Sequence, residues 1–425
     1  MAAARTNVVD LPVLVSSEEA EPSLWCATTR LSSIDLLRGA VMVLMVLDHA
    51  HFYFARANSV PEYLPESSPA LFFTRWITHF CAPAFFFLAG TGAFLSLALG
   101  RKTLAQVSRF LWTRGLWLIF LSSTLIGYAW TFLFPFAHGS VIWALGLSMI
   151  VMALLVRLPL RVIGLLGIAI ILLHNLLDRV SPTLFGRFSF LWYLVHYPGT
   201  YVFTPQMRFF VLYTLLPWVG VMAVGYAAGP LLFRQDRRKV LFLLGAILTV
   251  AFCVLRVFDL YGNSAPGLRG SFPDYYSAGP WTMQPTLLLT IASFFNTLKY
   301  PASLQYLLMT LGPLLIALAW FDTTDPSRGP ARILQVFGRV PLFFYILHLY
   351  FLHTMAVWVA LAAHRPAAWL LYGGPLVLHT PPRYGYGLPF IYAMWLAALL
   401  LLYFPCKWFM NVKQQHKDWW WLGYL

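Results

Sequence analysis

The chain runs Ser33-Ile34-Asp35-Leu36-Leu37-Arg38-Gly39, crosses the unbroken apolar stretch Ala40–Leu47, and closes on Asp48-His49-Ala50-His51. An apolar run of that length, flanked by charge at both ends, reads as a helix crossing a bilayer. Arg38 and His49 are 11 residues apart. At about 100° per residue they project from nearly the same face, offset by roughly 20°. Their separation along the axis is about 16 Å, half of a hydrocarbon core about 30 Å thick. Met42 and Met45 lie between them on that face. Asp35 can pair with Arg38 at i,i+3. Asp48 points about 100° away from His49, toward His51 or an adjacent helix.

Composition extends this reading to the whole chain. Of 425 residues, 60% are apolar and 10% charged, against about 25% charged in soluble domains. Ordinary globular and disordered chains are both excluded. Ten apolar segments recur, near 35–54, 72–98, 110–134, 139–157, 162–177, 207–232, 240–258, 303–321, 333–362 and 388–404, the ninth long enough to kink at Pro341. The expected fold is an all-α polytopic membrane protein, a bundle of about ten transmembrane helices. The expected organisation is a flexible cytoplasmic tail over 1–30, one transmembrane domain over 31–405, and an interfacial cytoplasmic tail over 406–425 anchored by Trp419-Trp420-Trp421.

The net charge of +14 would suggest nucleic acid in a soluble protein. Here it is explained by orientation. With both termini cytoplasmic, the inner segments hold 16 of the 29 Lys and Arg residues and the outer loops 7, as the positive-inside rule requires. Nucleic acid is therefore not expected as a partner; membrane lipid is. The other six basic residues, Arg38, Arg75, Arg114, Arg208, Arg256 and Arg339, fall in or at the ends of spans. A charge there faces a cavity, a partner or the interface. The four cysteines are scattered, so no disulfide framework or metal site is expected. The outer loop 259–302 is long enough to be functional. It carries Tyr275, Tyr276 and Trp281, which could stack on a sugar, and its apolar part 286–298 reads as a re-entrant or interfacial helix.

Histidines accompany three of the intramembrane arginines. Arg75 and His79 are i,i+4 neighbours at the outer end of the second span, which continues into the small-residue run Leu88–Ala93, suited to close helix approach. Such faces also allow a homo-oligomer. Arg339 lies at the cytoplasmic end of the ninth span, with His348 near mid-bilayer and His353 beyond it. An imidazole titrates near neutrality and can act as a base. His174, His196, His364 and His379 read as solvated loop residues.

The stretch from Arg30 to Gly39, followed by Met45-Val46-Leu47-Asp48-His49, resembles the membrane family related to heparan-alpha-glucosaminide N-acetyltransferase. So do Phe72–Pro83, Asn296–Pro301 with Met309–Gly312, and Gly338–Tyr345, in the manner of its bacterial branch. The Arg38–His49 spacing is also similar to that of the membrane acyltransferases that O-acetylate bacterial surface polysaccharides. The resemblance implies an inner-membrane acyltransferase, moving an acyl (acetyl) group from cytoplasmic acetyl-CoA to an amine or hydroxyl of an extracytoplasmic sugar or glycan. It implies His49, Asp48 and His79 as catalytic residues. Arg38, Arg75, Arg339 and His348 would contact the acyl-CoA. The animal enzyme carries its catalytic histidine in the loop after the first helix. Loop 55–71 here has none, so His49, His51 and His79 stay open as the base. The alternative is a transporter of a lipid-linked or amphipathic anion.

Overall fold

The computed structural model describes residues 31–56, 60–134, 136, 138–205, 207–263, 279–382, 384–416 and 418–424. The tail over 1–30, Tyr275 and Tyr276 lie outside them. Within lipid every backbone amide must be satisfied inside its own segment, and the chain responds almost entirely with helix. α1 (Ser32–Phe54) is followed by α2 (Pro69–Trp76), a 3-10 turn over Ile77–Phe80, and α3 (Cys81–Ala98). α4 (Leu104–Ser123) and α5 (Leu125–Thr131) are separated by a break at Thr124, after which come α6 (Val141–Leu155) and α7 (Leu160–Leu173). A 3-10 turn over His174–Arg179 leads toward α8 (Ser189–Val195). The strands β1 (Gly199–Val202) and β2 (Arg208–Val211) pair antiparallel, Gly199 opposite Val211. Then come α9 (Leu215–Ala227), α10 (Arg237–Val257), α11 (Leu287–Phe295), α12 (Leu304–Phe321), α13 (Gly329–Arg339) and α14 (Pro341–Ala362). Two short turns, α15 (Ala368–Leu371) and α16 (Gly374–Val377), precede α17 (Leu388–Gln415).

Among the described residues, eight helical segments are long and apolar enough to cross a membrane. α6 is apolar but shorter, and α1 is a 23-residue helix that carries Asp35, Arg38 and Asp48 and is not among the eight, so all ten expected segments have a helical counterpart. The differences are local. The sixth begins at Leu215, because residues 208–211 form a strand; the run Phe209-Phe210-Val211 is apolar enough to merge with the helix in a hydropathy reading. Arg208 is therefore an exposed strand residue rather than part of a long apolar helix. The ninth is two helices. Val340 leaves helical geometry (φ −129°, ψ 48°) and Pro341 starts α14 at the position proline favours. The apolar stretch 286–298 contains α11, which packs on α2. Hydroxyl side chains cap helix starts, Ser68 for α2, Thr103 for α4, Ser140 for α6 and Ser303 for α12, each accepting an otherwise unpaired backbone N–H.

α1 is the central element, packed against α3, α12, α13, α14 and α17. Its approach to α13 is a backbone contact. A Cβ on Gly39 would overlap the carbonyl of Leu334, and one on Gly338 the carbonyl of Asp35. Gly90 lets α3 meet Met222 of α9 in the same way, as expected of the small-residue run. α10 and α17 instead present Phe242, Ile247, Val250, Leu400, Leu401 and Phe404 outward, the surface lipid covers.

Candidate active site

The two polar ends of α1 organise two clusters. At its N-terminal end Asp35 is buried between arginines, Arg38 at 3.3 Å and Arg339 at 3.6 Å. Arg38 also donates to the carbonyl of Gly338 at 3.2 Å. The glycine contact between α1 and α13 is what brings Arg339 to Asp35. Arg114 of α4 stands within electrostatic reach of Arg38 and donates to the carbonyl of Gly423.

At the other end, three turns along the same face, His49 meets His348 of α14. His49 Nδ1 and His348 Nε2 are 2.7 Å apart with the rings nearly parallel, at 9°. His348 Nδ1 lies 2.9 Å from the carbonyl of Phe344. A carbonyl only accepts, so the neutral His348 carries its proton on Nδ1 and accepts on Nε2. His49 must then donate from Nδ1, which leaves the lone pair of its Nε2 uncommitted. Among the described residues no group hydrogen-bonds that nitrogen. Arg38 reaches α13 and His49 reaches α14, two helices joined at Val340, so the two residues do share one face of α1.

The rest of the cluster surrounds this dyad. Trp130 of α5 stands edge-on to His49 with centroids 4.7 Å apart, and Tyr345 at 6.1 Å. Trp130 Nε1 and Tyr345 Oη are buried beside one another, with no other hydrogen-bond partner. α5 is held there by the hydroxyl of Tyr53, which donates to the carbonyls of Ala129 and Trp130, and by His353, whose ring nitrogens face the carbonyls of Ala129 and Leu370 at 2.9 and 2.8 Å.

Asp48 turns to the neighbouring helix rather than to His49 or His51. It pairs with Arg75 and accepts from the Thr78 hydroxyl at 3.1 Å. Arg75 extends from Asp48 to Glu62, donating from Nε at 2.8 Å. Arg75 therefore belongs to the cluster around His49, at the opposite end of α1 from Arg38 and Arg339. The Glu62 carboxylate lies 3.9 Å from His79 Nε2, beyond hydrogen-bond length. Burial alone would raise the Glu62 carboxyl, but the Arg75 guanidinium and the His79 ring outweigh it and hold its pKa well below the ordinary carboxylate range. His79 is buried in the 3-10 turn, and neither of its ring nitrogens has a hydrogen-bond partner. Its backbone carbonyl accepts from the Tyr306 hydroxyl of α12 at 2.7 Å.

Sequence reasoning missed Glu62 and Lys299, and it did not single out Trp130. Glu62 lies in a loop with no periodicity to mark it. Lys299 is buried, within electrostatic reach of Asp48, His49 and His79, although its position suggested a solvated outer-loop charge. Its place beside Asn296-Thr297, in one of the family-like stretches, was the available signal. Arg256 is a structural residue rather than a snorkelling one. Its guanidinium donates to the carbonyls of Ser293, Phe294 and Asn296 and so closes the C-terminal end of α11.

The geometry offers a buried imidazole with a directed tautomer, buried N–H and O–H groups beside it, and a cationic cluster about three helical turns away along one helix face. The family described as heparan-alpha-glucosaminide N-acetyltransferase, catalytic, matches residues 30–256. That span includes Arg38, Asp48, His49, Glu62, Arg75 and His79; Lys299, Arg339 and His348 lie beyond it. No curated protein matches the chain. With more than half of its 425 residues matched, the chain belongs to the heparan-alpha-glucosaminide N-acetyltransferase catalytic-domain family.

Proposed function

We propose that this protein is a membrane acetyltransferase that takes an acetyl group from cytoplasmic acetyl-CoA and delivers it to an amine or hydroxyl of an extracytoplasmic sugar or glycan. Both termini face the cytoplasm, as the distribution of Lys and Arg favours. Arg38 and Arg339, already gathered at Asp35, contact the CoA phosphates as a cationic entrance. The pantetheine arm then runs along the α1 face toward His49.

The observation that carries the reading is the His49–His348 bond. It leaves His49 Nε2 as a neutral base. His49 takes the proton of the acceptor N–H or O–H as that atom bonds to the thioester carbonyl carbon. Trp130 Nε1–H and Tyr345 O–H donate to the oxygen that becomes negative. Collapse breaks the C–S bond, and the His49 imidazolium returns the proton to the departing CoA thiolate, so charge and protons balance. Asp48, Lys299 and Arg75 fix the electrostatic surroundings, and His79, beside the Glu62 carboxylate, receives the acceptor.

The test uses proteoliposomes of known orientation, with acetyl-CoA sealed on the face bearing Arg38 and a panel of amino sugars and oligosaccharides on the other. Acetylated product on the acceptor side, with CoA retained inside, supports the assignment. Movement of an anion with no covalent product supports the transporter alternative.

A further inference from the structure

At the far end of α7 a further buried polar cluster takes no part in this chemistry. His174 and His196 are each 2% exposed and Asp178 is 7%. His196 Nε2 lies 2.9 Å from Asp178 Oδ1, and one ligand atom from each of the three residues lies within 4.8 Å of the others. Both ring nitrogens of His174 are buried with no hydrogen-bond partner, as is Nδ1 of His196. An imidazole serving only packing would have its N–H satisfied, since leaving a buried donor unmade costs about 1–3 kcal/mol. His174 instead aims an unused ring at a carboxylate–imidazole pair. The positions 174, 178 and 196 carry no familiar metal signature, because the third ligand comes from the end of α8.

We propose that His174, Asp178 and His196 bind a divalent transition metal of the zinc class. Two imidazoles and one carboxylate suit a borderline cation and leave a fourth position for water. The surroundings are those of a supported site. Asn175 donates to the second carboxylate oxygen, Asp178 Oδ2, at 3.0 Å, and its own Oδ1 accepts from the backbone N–H of Leu304 at 2.9 Å. Such an outer partner fixes the orientation of a ligating carboxylate. A cavity of about 380 Å³, lined by Asn175, Asp178, Arg179, Asp259 and Tyr261 among others, opens beside the carboxylate and offers a route in. The metal joins the turn after α7 to the end of α8, and Asn175 passes the constraint to the first turn of α12. That helix carries Tyr306, whose hydroxyl holds the His79 backbone.

The experiment measures the full-length protein in detergent: metal content as purified, after EDTA, and after zinc chloride is added back and excess removed, with Tm followed throughout. The expected result is about one zinc per chain and a rise in Tm with zinc chloride that magnesium chloride does not reproduce. His174→Ala and Asp178→Asn abolish both, Asn175→Ala weakens zinc affinity about 10–100-fold, and His49→Ala binds zinc normally. Wild-type protein that takes up no stoichiometric zinc and shows no Tm rise overturns the proposal, whether or not the variants fold. So does full zinc occupancy in His174→Ala.

Discussion

His49 donates its Nδ1 proton to His348 Nε2 across 2.7 Å, and His348 is itself anchored on the Phe344 carbonyl at 2.9 Å. This relay orients the His49 ring without a carboxylate. Asp48, the neighbouring acid in sequence, is held by Arg75 and Thr78 instead. His348→Ala should therefore lower kcat roughly 10²-fold or more, by releasing the His49 tautomer, with little change in KM for acetyl-CoA. As a positioning residue it should also shift the pH profile of kcat. An unchanged profile with reduced kcat would point to a packing defect alone.

Arg38 and Arg339 converge on one buried carboxylate at the opposite end of α1. If they receive the CoA phosphates, replacing either with alanine should raise KM for acetyl-CoA about 10-fold or more and change kcat much less, since a charged hydrogen bond is worth about 1.5–3 kcal/mol. Arg38→Lys should recover part of the loss. Steady-state kinetics with varied acetyl-CoA separates the two parameters.

Arg75 bridges Asp48 and Glu62, and removing it leaves two carboxylates facing each other in a largely buried site. Arg75→Ala should cost about 3–5 kcal/mol, read as a large fall in Tm. The Glu62 pKa is held below its ordinary 4.5, so its contribution is fully present above pH 4.5 and lost as pH falls toward the folded value. The Tm of the wild type should drop below pH 4.5 more steeply than that of Glu62→Gln. Parallel curves would remove Glu62 from the network.

The α1–α13 crossing has no room for a side chain at Gly39, where an added methyl meets a backbone carbonyl. Gly39→Ala should destabilise by about 3 kcal/mol or more, at or above the usual range for overpacking. It should also raise KM for acetyl-CoA by moving Arg339 off Asp35. Gly92→Ala, with open space around it, should leave Tm and kinetics near the wild type.

Much of this architecture is legible along the chain because a bilayer leaves few choices. Each apolar run of sufficient length has to be helical, and every one read from the sequence has a helical counterpart. The shared face of Arg38 and His49 also follows from helix geometry alone, and their reach to adjoining helices bears it out. What could not be read was partnership across distance. Nothing in residues 33–51 says that His49 meets a histidine 299 positions away, since that pairing depends on how α14 packs on α1. Lys299 looked solvated because a loop charge and a buried charge are identical in sequence. His174 and His196 were misplaced for the same reason. The 208–211 strand was hidden by apolar residues that suit strand and helix alike.

The most direct test of the central claim follows CoA thiol release from acetyl-CoA by the purified protein with an accepted sugar, comparing wild type with His49→Gln. The account predicts a loss of about 10²–10⁴-fold in kcat, with Tm and acetyl-CoA binding unchanged. His49→Gln turning over at the wild-type rate would contradict it.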